Sequence, residues 1–145
     1  MLRGIHPLLS PDLLHALAGM GHGDRLAVVD ANFPAVSHAR RLIALPGVPA
    51  PAALEAILSV LPIDDFEADP IAVMQVVGDP AAVPDAVREF MEVLGRYECT
   101  APARLERHAF YHAAAEAFAI VQTGERRFYG NILLTKGVVS PEALP

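Results

Sequence analysis

Four consecutive apolar residues, Leu26-Ala27-Val28-Val29, constrain this chain more than any other feature. A run this short and without polar alternation reads as a strand covered on both faces. The segments around it supply the cover. Upstream, Ser10-Pro11-Asp12 opens a helix with a capping hydroxyl, a proline at the first helical position and an acid near the positive end. Leu13, Leu14, Leu17 and Met20 follow at helical spacing, and Gly21 is a natural stop. Downstream, residues 41–45 read as a second strand closed by Pro46-Gly47. Pro51 opens a helix whose stripe is Leu54, Ile57, Leu58 and Leu61, ended by Pro62. Residues 71–77 read as a buried strand. Residues 84–94 are amphipathic, with Val87, Phe90, Met91 and Leu94 on one face and Arg88, Glu89 and Glu92 elsewhere. Residues 110–117 then read as a helix, 119–122 as extended, Thr123-Gly124-Glu125 as a turn and 132–134 as a last strand. Neither an internal repeat nor a linker divides them. The alternation therefore predicts a single α/β domain over residues 1–145, a central β-sheet flanked by helices, with the strand order left open.

Charge and hydropathy narrow the function classes. The net charge of −6 lacks the electrostatic footprint of a nucleic-acid binder. The longest mainly apolar run, residues 42–54, contains three prolines and is too short to span a bilayer. His6, Pro7, Pro11 and Asp12 interrupt any signal-peptide core. A single cysteine, Cys99, excludes an intrachain disulfide and suits a reducing cytoplasm. The expectation is a soluble, cytoplasmic protein. Its 53% hydrophobic residues and mean hydropathy of +0.35 are high for so small a domain. Surplus apolar surface is rarely left open on a monomer, which favours a homo-oligomer, although a high alanine content raises the same figures.

The chemistry-bearing groups cluster at chain bends. His22, between two glycines directly after a helix, carries an unobstructed imidazole. Imidazole titrates near pH ~6.5, so it serves as a general acid or base at neutral pH; a loop histidine capping a helix end is the competing reading. Asp30 ends the central apolar run, where side chains of open α/β sheets face a crevice, and would accept hydrogen bonds from vicinal hydroxyls or hold a histidine; the alternative is a turn aspartate. Asp24 fits the turn role better. Tyr129-Gly130-Asn131 offers a phenol, an unencumbered backbone and an amide that both donates and accepts, or else a β-turn. Arg107 precedes Phe110-Tyr111 and is a further candidate, or else a surface cation. His38, His108 and His112 lack the acid of a zincin motif, Gly21-His22-Gly23 lacks the lysine and spacing of a phosphate loop, and Cys99 has no activating neighbour. No metal and no cofactor is expected. At roughly 3.3 Å per residue, the two ends of the Leu26–Val29 segment lie too far apart for His22 and Asp30 to share one small molecule, unless the glycine-flanked loop folds back or the two residues come from different subunits.

Several motifs together resemble one family. Ile5-His6-Pro7-Leu8-Leu9-Ser10-Pro11, Met20-Gly21-His22-Gly23-Asp24, Leu61-Pro62-Ile63-Asp64, Phe110-Tyr111 and Thr123-Gly124-Glu125, with Tyr129-Gly130-Asn131-Ile132-Leu133-Leu134, are similar to the L-fucose mutarotase / D-ribose pyranase family over nearly the whole chain. The wording is that of the fucose branch, since the position of Arg107 looks like a histidine in the ribose branch. The resemblance implies an isomerase that interconverts α and β anomers of a free monosaccharide, L-fucose first, by cofactor-free acid–base ring opening. It implies His22 as the proton donor. It implies Asp30, Arg107, Tyr129, Gly130 and Asn131 as substrate-binding residues, with Tyr111 and Asp64 behind them. It also implies sites at the subunit contacts of a ring-forming oligomer, a decamer of stacked pentamers or a smaller assembly. The alternatives are D-ribose pyranase activity and a non-catalytic sugar-binding accessory of an uptake system.

Overall fold

Ser10 caps the first helix as its sequence predicts: its Oγ accepts the Leu13 N–H at 3.3 Å, and α1 runs Pro11–Gly19 in a computed structural model that describes all residues, Met1–Pro145. Met20 closes α1, one residue ahead of the expected glycine stop, because its N–H returns to the Ala16 carbonyl. The central apolar run becomes β1 (Arg25–Val29), buried from Leu26 onward. There follow α2 (Ala35–His38), β2 (Leu42–Leu45), α3 (Ala50–Leu58), β3 (Ile71–Met74), α4 (Asp85–Arg96), β4 (Ala103–Leu105), α5 (Arg107–Glu116), β5 (Ala119–Thr123) and β6 (Ile132–Thr135), with a terminal 3-10 turn at Pro141–Ala143.

One sheet holds all six strands in the order β2-β5-β1-β6-β3-β4. Parallel pairs join β1 to β5, β5 to β2 and β3 to β4, while β6 runs antiparallel to both β1 and β3. Five strands therefore point one way and β6 alone points back. The carboxyl ends of the five and the start of β6 share one edge of the sheet. Alternate residues face opposite layers. Leu26 and Val28, with Ile71, Val73, Ile132 and Leu134, pack into the larger core under α1, α3 and α4. Ala27 and Val29, with Ala72, Met74, Ile120 and Leu133, form a thinner core under α2 and α5 around Phe33 and Phe110. Truncating a fully buried leucine such as Leu26 costs about 2–5 kcal/mol.

The structure departs from the sequence expectation at short elements. The third strand stops at Met74 rather than reaching residue 77, because Val76 bridges to Asp79 across a turn at Gly78, whose φ is +80°. β4 and α2, three and four residues long, are too short to carry a periodic signal and were not expected. α5 starts at Arg107 rather than at residue 110, since the Glu106 carboxylate caps it by accepting the N–H groups of His108 and Ala109 at 2.9 and 3.2 Å.

Candidate active site

Open α/β sheets gather ligands outside the carboxyl ends of their strands. At that edge, on the thinner-core side, lies a pocket of about 370 Å³. Its polar groups are Asp30 after β1, Arg107 at the start of α5, Tyr111 one turn on, and Tyr129 and Asn131 ahead of β6. Phe33, Met74 and Phe128 form the apolar wall, and Asn32 completes the lining. A volume of this order with a few convergent polar groups on an apolar wall is the usual form of a small-molecule site.

Asp30 is 4% exposed and held by several donors. Its Oδ1 accepts the Asn32 N–H at 2.9 Å and its Oδ2 accepts Asn131 Nδ2 at 3.1 Å, while the Asp30 N–H donates to Asn131 Oδ1 at 2.9 Å. Burial raises its pKa above the ordinary carboxylate value, against these donors and the N–H groups of Phe33 and Gly130. Proton affinity is thereby increased at the floor of the pocket.

Tyr129 adopts φ +61°, a left-handed conformation uncommon outside glycine and asparagine, and its hydroxyl oxygen accepts the Val77 N–H at 3.1 Å. The phenolic hydrogen stays available to a ligand. Gly130 has no room for a side chain: an added Cβ would lie 2.7 Å from Glu125 Cγ and 3.5 Å from Asp30 Cβ. Opposite it, Tyr111 stands edge-on to Phe33, ring centroids 5.2 Å apart at 76°, and Arg107 is exposed with its guanidinium 3.4 Å from His108 Nε2.

His22 and Asp64 lie elsewhere. His22 precedes β1 and Asp30 follows it, so the strand separates them by roughly 17 Å at about 3.3 Å per residue. The glycine-flanked loop does not fold back: the Gly23 N–H donates to the Lys136 carbonyl, and Asp24 accepts the Gly21 N–H at 2.7 Å in the turn role expected of it. Asp64, expected beside the substrate-binding residues, stands instead behind His22. Its side chain is 1% exposed, its Oδ1 meets His22 Nε2 at 2.9 Å, and its Oδ2 accepts the Glu67 N–H at 3.0 Å. Burial works against the Asp64 charge, but the hydrogen bonds from His22, Glu67 and Phe66 outweigh it and lower the pKa. An anionic Asp64 can only accept, so Nε2 carries the hydrogen and Nδ1 is left to work. The imidazole, about half exposed, leans on Phe66 at 5.2 Å.

The lining thus brings together Asp30, Arg107, Tyr111, Tyr129 and Asn131, with the Gly130 backbone beside Asp30, and leaves His22 and Asp64 as a separate pair at the opposite sheet edge. Asn32, Phe33, Met74 and Phe128 were not singled out from the sequence. Asn32 and Phe33 sit in the bend after Asp30, which was the available signal. Residues 3–139 match the RbsD / FucU transport protein family. The chain belongs to this family. It is 42% identical over 146 residues to the fucose mutarotase of Homo sapiens, covering 96% of this chain and 95% of that one. It is 44% identical over 142 residues to the L-fucose mutarotase of Glaesserella parasuis serovar 5 (strain SH0165), covering 95% and 96%. The crystal structure of the fucose mutarotase in complex with L-fucose from Streptococcus pneumoniae superposes with a TM-score of 0.91 at 38% identity, over 96% of this chain and all of that one. No helix of the family member described here is long and apolar enough to cross a membrane.

Proposed function

We propose that this protein is a mutarotase that interconverts the α and β anomers of free L-fucose without a cofactor. The observation that carries this is the pocket of Asp30, Arg107, Tyr111, Tyr129 and Asn131 at the carboxyl edge of the sheet, in a chain about 40% identical throughout to mutarotases of that sugar. Ring opening needs one proton to leave the anomeric hydroxyl and another to reach the ring oxygen, and the bond between the anomeric carbon and the ring oxygen breaks as the aldehyde forms. Rotation about the aldehyde carbon and reclosure then give the other anomer. Asp30, Arg107, Tyr129 and Asn131 hold the hydroxyls, and Tyr111 and Phe33 cover the apolar face of the sugar. His22, protonated at Nδ1 while Nε2 keeps its hydrogen on Asp64, gives the proton to the ring oxygen and recovers one from the anomeric hydroxyl. Asp64 fixes the His22 tautomer, so it acts through the imidazole.

His22 reaches a pocket only if that pocket belongs to another copy. A ring-forming homo-oligomer, a decamer of stacked pentamers, meets that need. In support of it, Phe66 beside His22 and Phe128 beside the pocket are 74% and 76% exposed. A chain with Cys99 as its lone cysteine forms no intrachain disulfide, which fits a cytoplasmic location. Saturation-transfer proton NMR on equilibrated sugar tests the activity: enhanced exchange between the anomeric signals of L-fucose supports it. Exchange on D-ribose alone makes the protein a pyranase, and binding without exchange makes it a sugar-binding accessory.

A further inference from the structure

Glu125 is buried at 4% exposure and lies outside the pocket, yet both halves of the pocket converge on it. Its carbonyl accepts the Ala31 N–H at 2.9 Å, next to Asp30. Its N–H donates to Thr123 Oγ1 at 3.2 Å, and that hydroxyl donates to the Val29 carbonyl at 2.8 Å, so the exit of β1 is tied twice to this residue and its neighbour. On the other side, Glu125 Cγ fills the space over Gly130, between Tyr129 and Asn131. The carboxylate is itself clamped. Oε1 accepts the Arg127 N–H and Nε at 3.0 and 2.9 Å, and Oε2 accepts Arg127 Nη2 at 3.0 Å and the Ala50 N–H, at the start of α3, at 3.3 Å. The same guanidinium then forks onto both carboxylate oxygens of Glu89 on α4. The segment that carries Phe128 and the strained Tyr129 is thus fastened to two helices through one buried carboxylate. A buried carboxylate carries a desolvation cost, and Glu125 meets it by accepting four hydrogen bonds, which hold the segment in a single geometry.

We infer that Glu125 is a positioning residue of the pocket, which with Arg127 and Glu89 holds Tyr129, Asn131 and Asp30 in the arrangement that receives the sugar. The inference rests on the reading of that pocket as the monosaccharide site. The test uses the full-length protein with ¹³C-labelled tyrosine. The chain has only Tyr97, Tyr111 and Tyr129, so each ring gives its own signal, and Tyr97 at the end of α4 serves as internal reference. Glu125→Gln keeps the shape and removes the charge. It should move the Tyr129 signal and not that of Tyr97, and raise KM for L-fucose about tenfold, as expected when binding groups are displaced by a fraction of an ångström. Val93→Ala, a buried position of α4 one turn from Glu89 that carries none of the clamp's hydrogen bonds, should lower Tm without either effect. Glu89→Gln removes only the outer, half-exposed partner and leaves the buried clamp; it should move Tyr129 and KM in the same direction by less. A Glu125→Gln protein with an unmoved Tyr129 signal and wild-type KM overturns the inference, as does Val93→Ala raising KM equally at equal loss of Tm. Should Glu125→Gln not fold, an unmoved Tyr129 and an unchanged KM in Glu89→Gln overturn it alone. A wild-type protein that neither exchanges nor binds L-fucose would sink the mutarotase reading instead, while the Tyr129 signal still reports on positioning.

Discussion

Asn131 and Asp30 close a reciprocal pair across 101 residues of chain: the Asp30 N–H donates to Asn131 Oδ1 at 2.9 Å, and Asn131 Nδ2 donates back to Asp30 Oδ2 at 3.1 Å. Each side chain orients the other, and one hydrogen on the Asn131 amide remains for a ligand. Asn131→Ala leaves a buried N–H and a carboxylate oxygen without partners. It should cost about 1–3 kcal/mol in stability and weaken L-fucose binding by about tenfold or more. Urea unfolding and calorimetric titration give the two values, and unchanged sugar affinity would mean the pair is only structural.

The His22–Asp64 pair makes a different demand. His22→Ala should fold normally and lose about 10²–10⁴-fold in exchange rate, the usual contribution of a general acid–base group. Asp64→Asn can present its amide to Nε2 and so reverse the tautomer; a comparable rate loss at unchanged sugar affinity is expected. Wild-type exchange in either well-folded variant removes the proton-donor assignment.

Shared sites predict complementation. His22→Ala protomers keep an intact pocket, and Arg107→Ala protomers keep an intact imidazole. Mixing the two with verified subunit exchange should restore part of the activity that each lacks alone. A monomer by light scattering, fully active at dilution, would defeat the shared site.

Glu125 predicts an acid dependence of stability. Its pKa is lowered from 4.5 to about 2, chiefly by the Arg127 hydrogen bonds, with burial opposing. Since the folded state binds this proton less tightly than the unfolded chain, the stabilisation is complete above about pH 4.5 and is lost as pH falls toward 2. Tm measured from pH 5 to 2.5 should fall more steeply for wild type than for Glu125→Gln. Parallel curves would show that the carboxylate is not held in this way.

What the sequence made legible is what long or unbroken patterns encode. Leu26–Val29, Ser10-Pro11 and the face of Val87, Phe90 and Leu94 each announce a buried strand, a helix start and a packed helix by local rules. The three-residue β4 carries no period and owes its place to pairing with β3, which no local window contains. At the site, Asp30 and Tyr129-Gly130-Asn131 were readable because chemistry-bearing residues stand at bends next to apolar runs. Met74 and Phe128 were not, since an apolar residue at the end of a strand or on a turn looks the same whether it faces a ligand or solvent. The place of Asp64 behind His22 depends on a contact across 42 residues, for which the motif Leu61-Pro62-Ile63-Asp64 gave the residue but not the role.

The lone reversed strand β6 has a consequence for how this chain can vary. Asn131 leads into its first residue at the pocket, and Thr135 and Lys136, at its far end, accept hydrogen bonds from Asp64 and Gly23 around His22. Four residues of rigid backbone therefore set the distance within the chain between the pocket of Asp30 and Asn131 and the His22–Asp64 pair. Adding or deleting a single residue there would turn the side chains beyond the change to the opposite layer and alter the spacing of pocket and histidine. Surface loops of this chain can lengthen without changing that spacing; this strand cannot.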